Sequence, residues 1–279
     1  MLQEAVQAAE EADIVVLAIG EDRLQSGEAT SNANIRIPEV QEALLDRIAE
    51  VNQNIVVVLF SGRPLDIREI NKKAKAILQV WLPGTEGARA IADTLFGKYN
   101  PSGKLPMSFP YCVGQVPVHY NEYSTGRPHV EGKDKDRFRS KYLDIPNEPL
   151  YPFGYGLTYG RTEVISAAYD SESKKVSYEI VNHSDRAVEE TVQVYKKNRT
   201  SKWEVRNTVL CGFAKVCLAP GETRQGEIQL DEYAFTVVND QGKRVQDGSD
   251  YLLYVGTHGP DKRSEELTGT KAIALDIKF

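Results

Sequence analysis

Three carboxylates with room to work stand in one loop. Glu21 and Glu28, together with Asp22 and Arg23, lie in the stretch Glu21 to Arg36, directly after the apolar run Ile14 to Ile19. Small polar residues surround them: Ser26, Gly27, Thr30, Ser31 and Asn32. A carboxylate in such company can be held near a substrate without becoming core, and from there it can give or take a proton as a general acid or base. The competing reading is a solvated acidic loop, the commoner fate of surface charge.

Other chemistry-bearing patterns are weaker. Gly97 to Lys104 looks like a phosphate loop, but five residues separate its glycines and Leu105 follows the lysine, where the motif needs four and a Ser or Thr. His119, His129, His183 and His258 show no metal-ligand spacing and read as structural or surface residues, so no metal and no cofactor is expected. No Gly-x-Ser-x-Gly elbow occurs, and no Gly-x-Gly-x-x-Gly follows a strand. The cysteines Cys112, Cys211 and Cys217 are odd in number and contain no CxxC pair, which does not indicate a disulfide framework. The sequons at Asn182 and Asn198 read as coincidence, and Trp81 and Trp203 read as core packing or sugar stacking.

With 34 basic and 40 acidic residues the net charge is −6, the wrong sign for a protein whose affinity comes from neutralising phosphates. Nucleic acid is not an expected partner. The longest apolar runs are six residues, far short of the roughly 20 that span a bilayer, so no membrane partner is expected either. Met1 to Glu11 carries neither a basic segment nor an apolar core. That predicts a cytoplasmic chain, or a periplasmic or secreted one whose true N-terminus is missing.

The elements that must position the loop follow from periodicity. Asp13 to Gly20, Ile55 to Phe60 and Ala76 to Trp81 are continuous apolar runs, the pattern of parallel strands covered on both faces. Between them, Pro38 suits a helix N1 position, with Val40, Leu44, Ile48 and Val51 as one apolar face ending near Asn52. Ala88, Ile91 and Leu95 mark a further helix with Gly97 at its C-terminal cap. With Gln3 to Ala12 and Pro64 to Ala74 the order is α-β-α-β-α-β-α, which predicts an α/β doubly wound sandwich domain over residues 1–110. Ligands of such sheets bind beyond the carboxyl ends of the strands, where the Glu21 to Arg36 loop stands.

Residues 111–160 read as an aromatic and charged connector: six tyrosines between Tyr111 and Tyr155 predict a packed segment, and the charged run Glu131 to Lys141 a mobile one. After Thr162 helical periodicity is absent. Alternating stretches at Val176 to Val181, Thr191 to Tyr195, Gly226 to Leu230 and Tyr251 to Val255 predict six or seven strands of an immunoglobulin-like β-sandwich over residues 161–279.

A family resemblance is carried by Trp81-Leu82-Pro83-Gly84-Thr85-Glu86-Gly87, continuing through Leu95-Phe96-Gly97 to Asn100-Pro101-Ser102-Gly103-Lys104-Leu105-Pro106. Ser61-Gly62-Arg63-Pro64-Leu65, Tyr151-Pro152-Phe153-Gly154-Tyr155-Gly156-Leu157 and Leu218-Ala219-Pro220-Gly221-Glu222-Thr223 add to it. Together they resemble the C-terminal part of glycoside hydrolase family 3, especially bacterial β-glucosidases, over essentially the whole chain. The resemblance implies an α/β sandwich followed by a fibronectin type III-like domain. It also implies retaining hydrolysis of terminal β-glucosyl residues in a β-glucoside or oligosaccharide, with an Asp nucleophile on an N-terminal (β/α)8 barrel and a Glu acid/base in the α/β sandwich. Carried onto this sequence, the acid/base is Glu28, with Glu21 the runner-up. Many relatives have Gly-x-Asp-Arg after this Glu, whereas Ala29-Thr30-Ser31-Asn32 follows here. The barrel, in cis or in trans, is the expected partner, with a homodimer a further candidate. Because retaining hydrolysis needs two carboxylates about 5 to 5.5 Å apart, the isolated chain is expected to be inactive. The alternative is a non-catalytic carbohydrate-binding or scaffolding module that docks on a partner.

Overall fold

A computed structural model describes residues 1–130, 132–133 and 135–279. The chain divides into two units, residues 1–99 with 109–118, and residues 100–108 with 119–279. In the first, the expected order is observed: α1 (Leu2–Glu11), β1 (Val15–Gly20), α2 (Glu39–Val51), β2 (Ile55–Phe60), α3 (Arg68–Lys73), β3 (Ala76–Trp81) and α4 (Gly87–Leu95). The strands form one parallel sheet in the order β1-β2-β3.

That order decides which apolar residues are covered. Two right-handed crossovers running the same way put α2 and α3 on one face of the sheet, and α1 packs on α2. The central strand β2 is buried on both faces, with Val57 and Val58 pointing opposite ways and both buried. The expectation of two covered faces fails for β1, where Leu17 and Ile19 are buried while Val16 is 52% exposed, as is Ile14 just before the strand at 61%. Two helix details also differ. Pro38 is the N-cap of α2 and not its N1 residue, and the inward residues are Leu45 and Ile48, while Val40 is exposed. In α4 the inward residues are Gly87 and Thr94, and Ala88 is exposed.

The second unit holds β4 (Thr162–Asp170), β5 (Lys175–Asn182), β6 (Val188–Asn198), β7 (Val209–Leu218), β8 (Thr223–Gln229), β9 (Thr236–Val238), β10 (Arg244–Gln246), β11 (Asp250–Gly256) and β12 (Ile273–Lys278). A four-stranded sheet β12-β11-β6-β7 and a three-stranded sheet β4-β5-β8 make the seven-stranded sandwich, and β9 and β10 form a separate two-stranded ribbon. Its core joins Val176, Tyr178 and Ile180 of β5 to Val192, Val194, Leu253 and Val255. A helix that periodicity did not announce, α5 (Lys262–Thr268), interrupts the strands. It is defined by its ends: the Asp261 side chain accepts from the Ser264 N–H, and Gly269 closes it at φ +69°. Its one buried residue is the polar Ser264, so no apolar period shows in the sequence.

Two of the family-like stretches are paired here. The Leu105 N–H donates to the Tyr155 carbonyl and the Gly154 N–H to the Leu105 carbonyl. Both strands of this strap are tied to β6: Lys104 Nζ lies 2.8 Å from Glu190, Thr191 Oγ1 donates to the Ser102 carbonyl, and Gln193 Nε2 donates to the Gly154 carbonyl. Tyr120 stacks on Phe153 at 3.9 Å, and Tyr151 on Tyr155 at 5.4 Å. Tyr120, Tyr151 and Tyr155 thus pack the connector, while Tyr123 and Tyr142 are exposed. Arg139 is paired with Asp136, and Lys141 donates to the Asp136 carbonyl. The expected mobility of the charged run also concerns Glu131 and Asp134, which lie outside the described residues.

Candidate active-site loop

The three strands of the first unit end level, with Gly20, Phe60 and Trp81 in register. The segments that follow therefore leave from one edge, the carboxyl edge, where open α/β sheets bind ligands. The longest of them runs from residue 21 to residue 38. It departs where only glycine fits: Gly20 has φ +137°, and a Cβ there would lie 1.8 Å from the Phe60 carbonyl oxygen. Gln41, one turn into α2, fastens departure and return together, accepting from the Gly20 N–H at 2.7 Å and donating to the Gly20 carbonyl at 3.1 Å.

Arg63, in the loop after β2, organises the middle of the segment. Its Nε lies 3.0 Å from Glu21 Oε1, and its Nη2 donates to the carbonyls of Gln25 at 2.6 Å and Thr30 at 2.9 Å. The Gly62 N–H donates to the other Glu21 oxygen. Ser26 rests on Gly62, where a Cβ would come within 1.7 Å of the serine hydroxyl. Local turns complete the loop: Asp22 accepts from the Leu24 N–H, and Thr30 Oγ1 donates to the Gly27 carbonyl. At the far end Asp66 bonds Arg68 and pairs with Arg36. Burial pushes the Asp66 carboxyl up, but the hydrogen bonds and charge of Arg68, with Arg36, outweigh it and hold it below the usual range.

The two predicted carboxylates are separated by this arrangement. The Glu21 side chain is 2% exposed and committed to Arg63 and Gly62. Glu28 is exposed, and no hydrogen bond or ion pair to it is found among the described residues. It sits between Gly27 at φ +122° and Ala29 at φ +60°. A left-handed non-glycine residue costs about 1 to 2 kcal/mol, so the turn beneath Glu28 is maintained against a local preference.

The histidines and Trp203 lie elsewhere in the chain, while Trp81 ends β3 at the same edge. His258 is buried and bonded to the Gly259 carbonyl and Thr270, and His183 contacts Glu163. Among the described residues no three His, Cys, Asp or Glu side chains gather as a metal-ligand set. Trp81 packs against Phe109 with ring centroids 5.8 Å apart, and Trp203 is half-buried. The Asn182 amide is fully buried and bonds two backbone carbonyls, which leaves no room for a glycan. Sequence reasoning did not single out Arg63 or Gln41. For Arg63 the available signal was an arginine between glycine and proline at the carboxyl end of a strand; for Gln41 there was none, since its partner is a backbone peptide 21 residues away.

Comparison with known proteins agrees with this architecture. Residues 1–159 match the model of the glycosyl hydrolase family 3 C-terminal domain, and residues 190–259 that of a fibronectin type III-like domain. The chain is 40% identical over 262 residues to the periplasmic beta-glucosidase of Salmonella typhimurium, covering 92% of this chain and 34% of that protein. It is 33% identical to a beta-xylosidase of Formosa agariphila, covering 99% of this chain and 37% of that protein. Among solved structures, the beta-glucosidase from Listeria innocua in complex with isofagomine superposes with a TM-score of 0.90 at 39% identity, over 99% of this chain and 38% of the other. The chain thus spans about a third of the length of its relatives. With a family model matched over more than half its length, it belongs to glycosyl hydrolase family 3, of which it carries the C-terminal domain and the fibronectin type III-like domain.

Proposed function

We propose that this chain is the acid/base-bearing portion of a retaining β-glucosidase, with Glu28 as the general acid/base. The observation that carries the reading is the contrast between the two carboxylates: Glu28 is exposed on a built loop at the carboxyl edge, while Glu21 is buried in an ion pair and has no path to a leaving group. In the whole enzyme a carboxylate of the barrel attacks C1 of the sugar as the C1–O bond breaks. The departing oxygen keeps the electron pair of the broken C1–O bond and takes the proton of the Glu28 carboxyl, which is left as a carboxylate. In the second half, water attacks C1 of the glycosyl-enzyme, Glu28 takes the water's proton, and the barrel carboxylate is released. Terminal β-D-glucosyl residues are the proposed substrate, from the names of relatives at 40 and 39% identity.

A general acid alone contributes about 10² to 10⁴ in rate, so the chain by itself should be silent without the nucleophile and the sugar pocket. Exposed apolar side chains in the first unit, Leu24 and Leu82 at the carboxyl edge, Val16 on β1 and Ile14 just before it, support a surface that is covered in the whole protein. No helix among the described residues is long and apolar enough to cross a membrane. The similarity to a periplasmic enzyme favours the periplasm over the cytoplasm for the whole protein.

The test is hydrolysis of an aryl β-glucoside by the purified chain, alone and mixed with a family barrel domain, with Glu28→Gln as control. Silence alone and activity on mixing, abolished by Glu28→Gln, supports the reading. Activity from the chain alone, or a Glu28→Gln mixture as active as the parent, overturns it. Silence in both settings leaves the scaffolding alternative.

A further inference from the structure

We infer that Arg63 is the positioning residue for Glu28, clamping the loop so that the carboxyl group is presented at one place; the inference rests on the acid/base reading above. Glu28 has no hydrogen bond or ion pair among the described residues, so its position is inherited from the peptide on either side. Arg63 holds that peptide. Its Nη2 bonds the carbonyl of Gln25, three residues before Glu28, and that of Thr30, two residues after it. One guanidinium nitrogen thus closes the base of a short arch with Glu28 and the left-handed Ala29 at its top.

The clamp is itself anchored. Arg63 is followed by Pro64, whose ring fixes its own φ and restricts the residue before it. Its Nε is buried 3.0 Å from Glu21 Oε1 without an aligned hydrogen bond, so the two are held by charge. Glu21, which resembles a catalytic carboxylate in sequence, is thereby the counter-ion of the clamp. Gly62 keeps the contact close, since any side chain there would displace Ser26 and lift the arch. Because both loop contacts are to carbonyls, the clamp requires no particular loop sequence, but Nη2 on the loop and Nε beside Glu21 must be held in one rigid plane. A lysine, a point charge with tetrahedral donors, reproduces it only in part.

The test uses the chain combined with a family barrel domain. It compares kcat/KM on phenyl β-glucoside, whose leaving group needs a proton, with that on 2,4-dinitrophenyl β-glucoside, whose leaving group does not. If Arg63 acts by placing the acid, the loss in Arg63→Met on the phenyl substrate exceeds that on the dinitrophenyl substrate by about tenfold or more. Arg63→Lys falls between it and the parent, and Glu28→Gln shows the largest ratio, about hundredfold or more. Equal losses on both substrates in Arg63→Met, while Glu28→Gln keeps its ratio, assign Arg63 a merely structural role and overturn the inference. Equal losses in Glu28→Gln overturn the acid/base reading itself. In the chain alone, amide exchange supplies an independent check: Arg63→Met should speed exchange from Gln25 to Asn32 by about tenfold or more, with Val57 to Leu59 unaltered. Unchanged exchange in the loop removes the clamp whatever the mixture does.

Discussion

Lys104→Met removes the cation that faces a buried carboxylate in the second unit. Lys104 Nζ and Glu190 Oε1 are 2.8 Å apart, with side chains only 10 and 5% exposed. Glu190 also accepts from Thr162 Oγ1 and from the Thr191 N–H, both at 2.8 Å. At an effective dielectric of 20 the pair attracts by about 6 kcal/mol. Desolvating two ions costs several kcal/mol each, so the pair is close to neutral against an apolar pair of similar size. The asymmetry gives the prediction. Methionine restores the volume of the lysine stem but leaves Glu190 charged and desolvated with only two neutral donors, a loss of about 3 to 5 kcal/mol. Lys104→Met with Glu190→Gln keeps the hydroxyl contact and removes the charge, and should recover at least half of that.

The chain's two tryptophans fall one in each unit, so a Trp81→Phe background leaves Trp203 to report urea unfolding of the sandwich. With m near 2 kcal/mol/M, the single variant should lower the midpoint by about 2 M. A shift under about 0.5 M, or a double variant no more stable than the single one, would refute the reasoning that charge burial ties the strap to β6.

Two further outcomes follow from the titrating groups. Asp66 is held below its ordinary 3.8, so the folded form binds fewer protons than the unfolded one. Its contribution is complete above that value and is lost as pH falls through the depressed one, so melting temperatures of the parent should drop more steeply than those of Asp66→Asn between roughly pH 4 and pH 2; parallel curves would remove the Arg68 and Arg36 contacts from the acid stability. Burial pushes the Cys211 thiol up to about 12. At pH 8 its thiolate fraction is about 10³ below that of an ordinary thiol, so maleimide should label exposed Cys217 far ahead of Cys211, and equal rates by mass spectrometry would show that the sandwich opens readily there.

The sequence by itself determined the elements of the first unit and their order, and the strand character of the second. Continuous apolar runs at Ile55 to Phe60 and alternating ones at Val176 to Val181 differ in period, and period is a property of the backbone geometry that neighbouring residues share. It also determined the family, because ordered strings such as Trp81 to Gly87 and Asn100 to Pro106 need no coordinates to be compared. Where each face of an element points, by contrast, depended on neighbours distant in the chain. Val40 and Val16 are apolar yet exposed, since covering a residue requires a partner layer and the β1-β2-β3 order supplies one on a single side of β1. Helix α5 escaped notice because its ends, not an apolar stripe, define it.

The loop shows the same division. Its carboxylates could be read as candidates from their residue types and their place after a strand, but composition alone ranked Glu21 and Glu28 nearly alike. The family resemblance put Glu28 ahead, and the folded chain gave the two different surroundings, bringing Arg63, which is 42 residues from Glu21, against one carboxylate and leaving the other exposed. Pairing of charges is a matter of distance in space, and 38 residues separate Arg63 from the Gln25 carbonyl that it bonds at 2.6 Å.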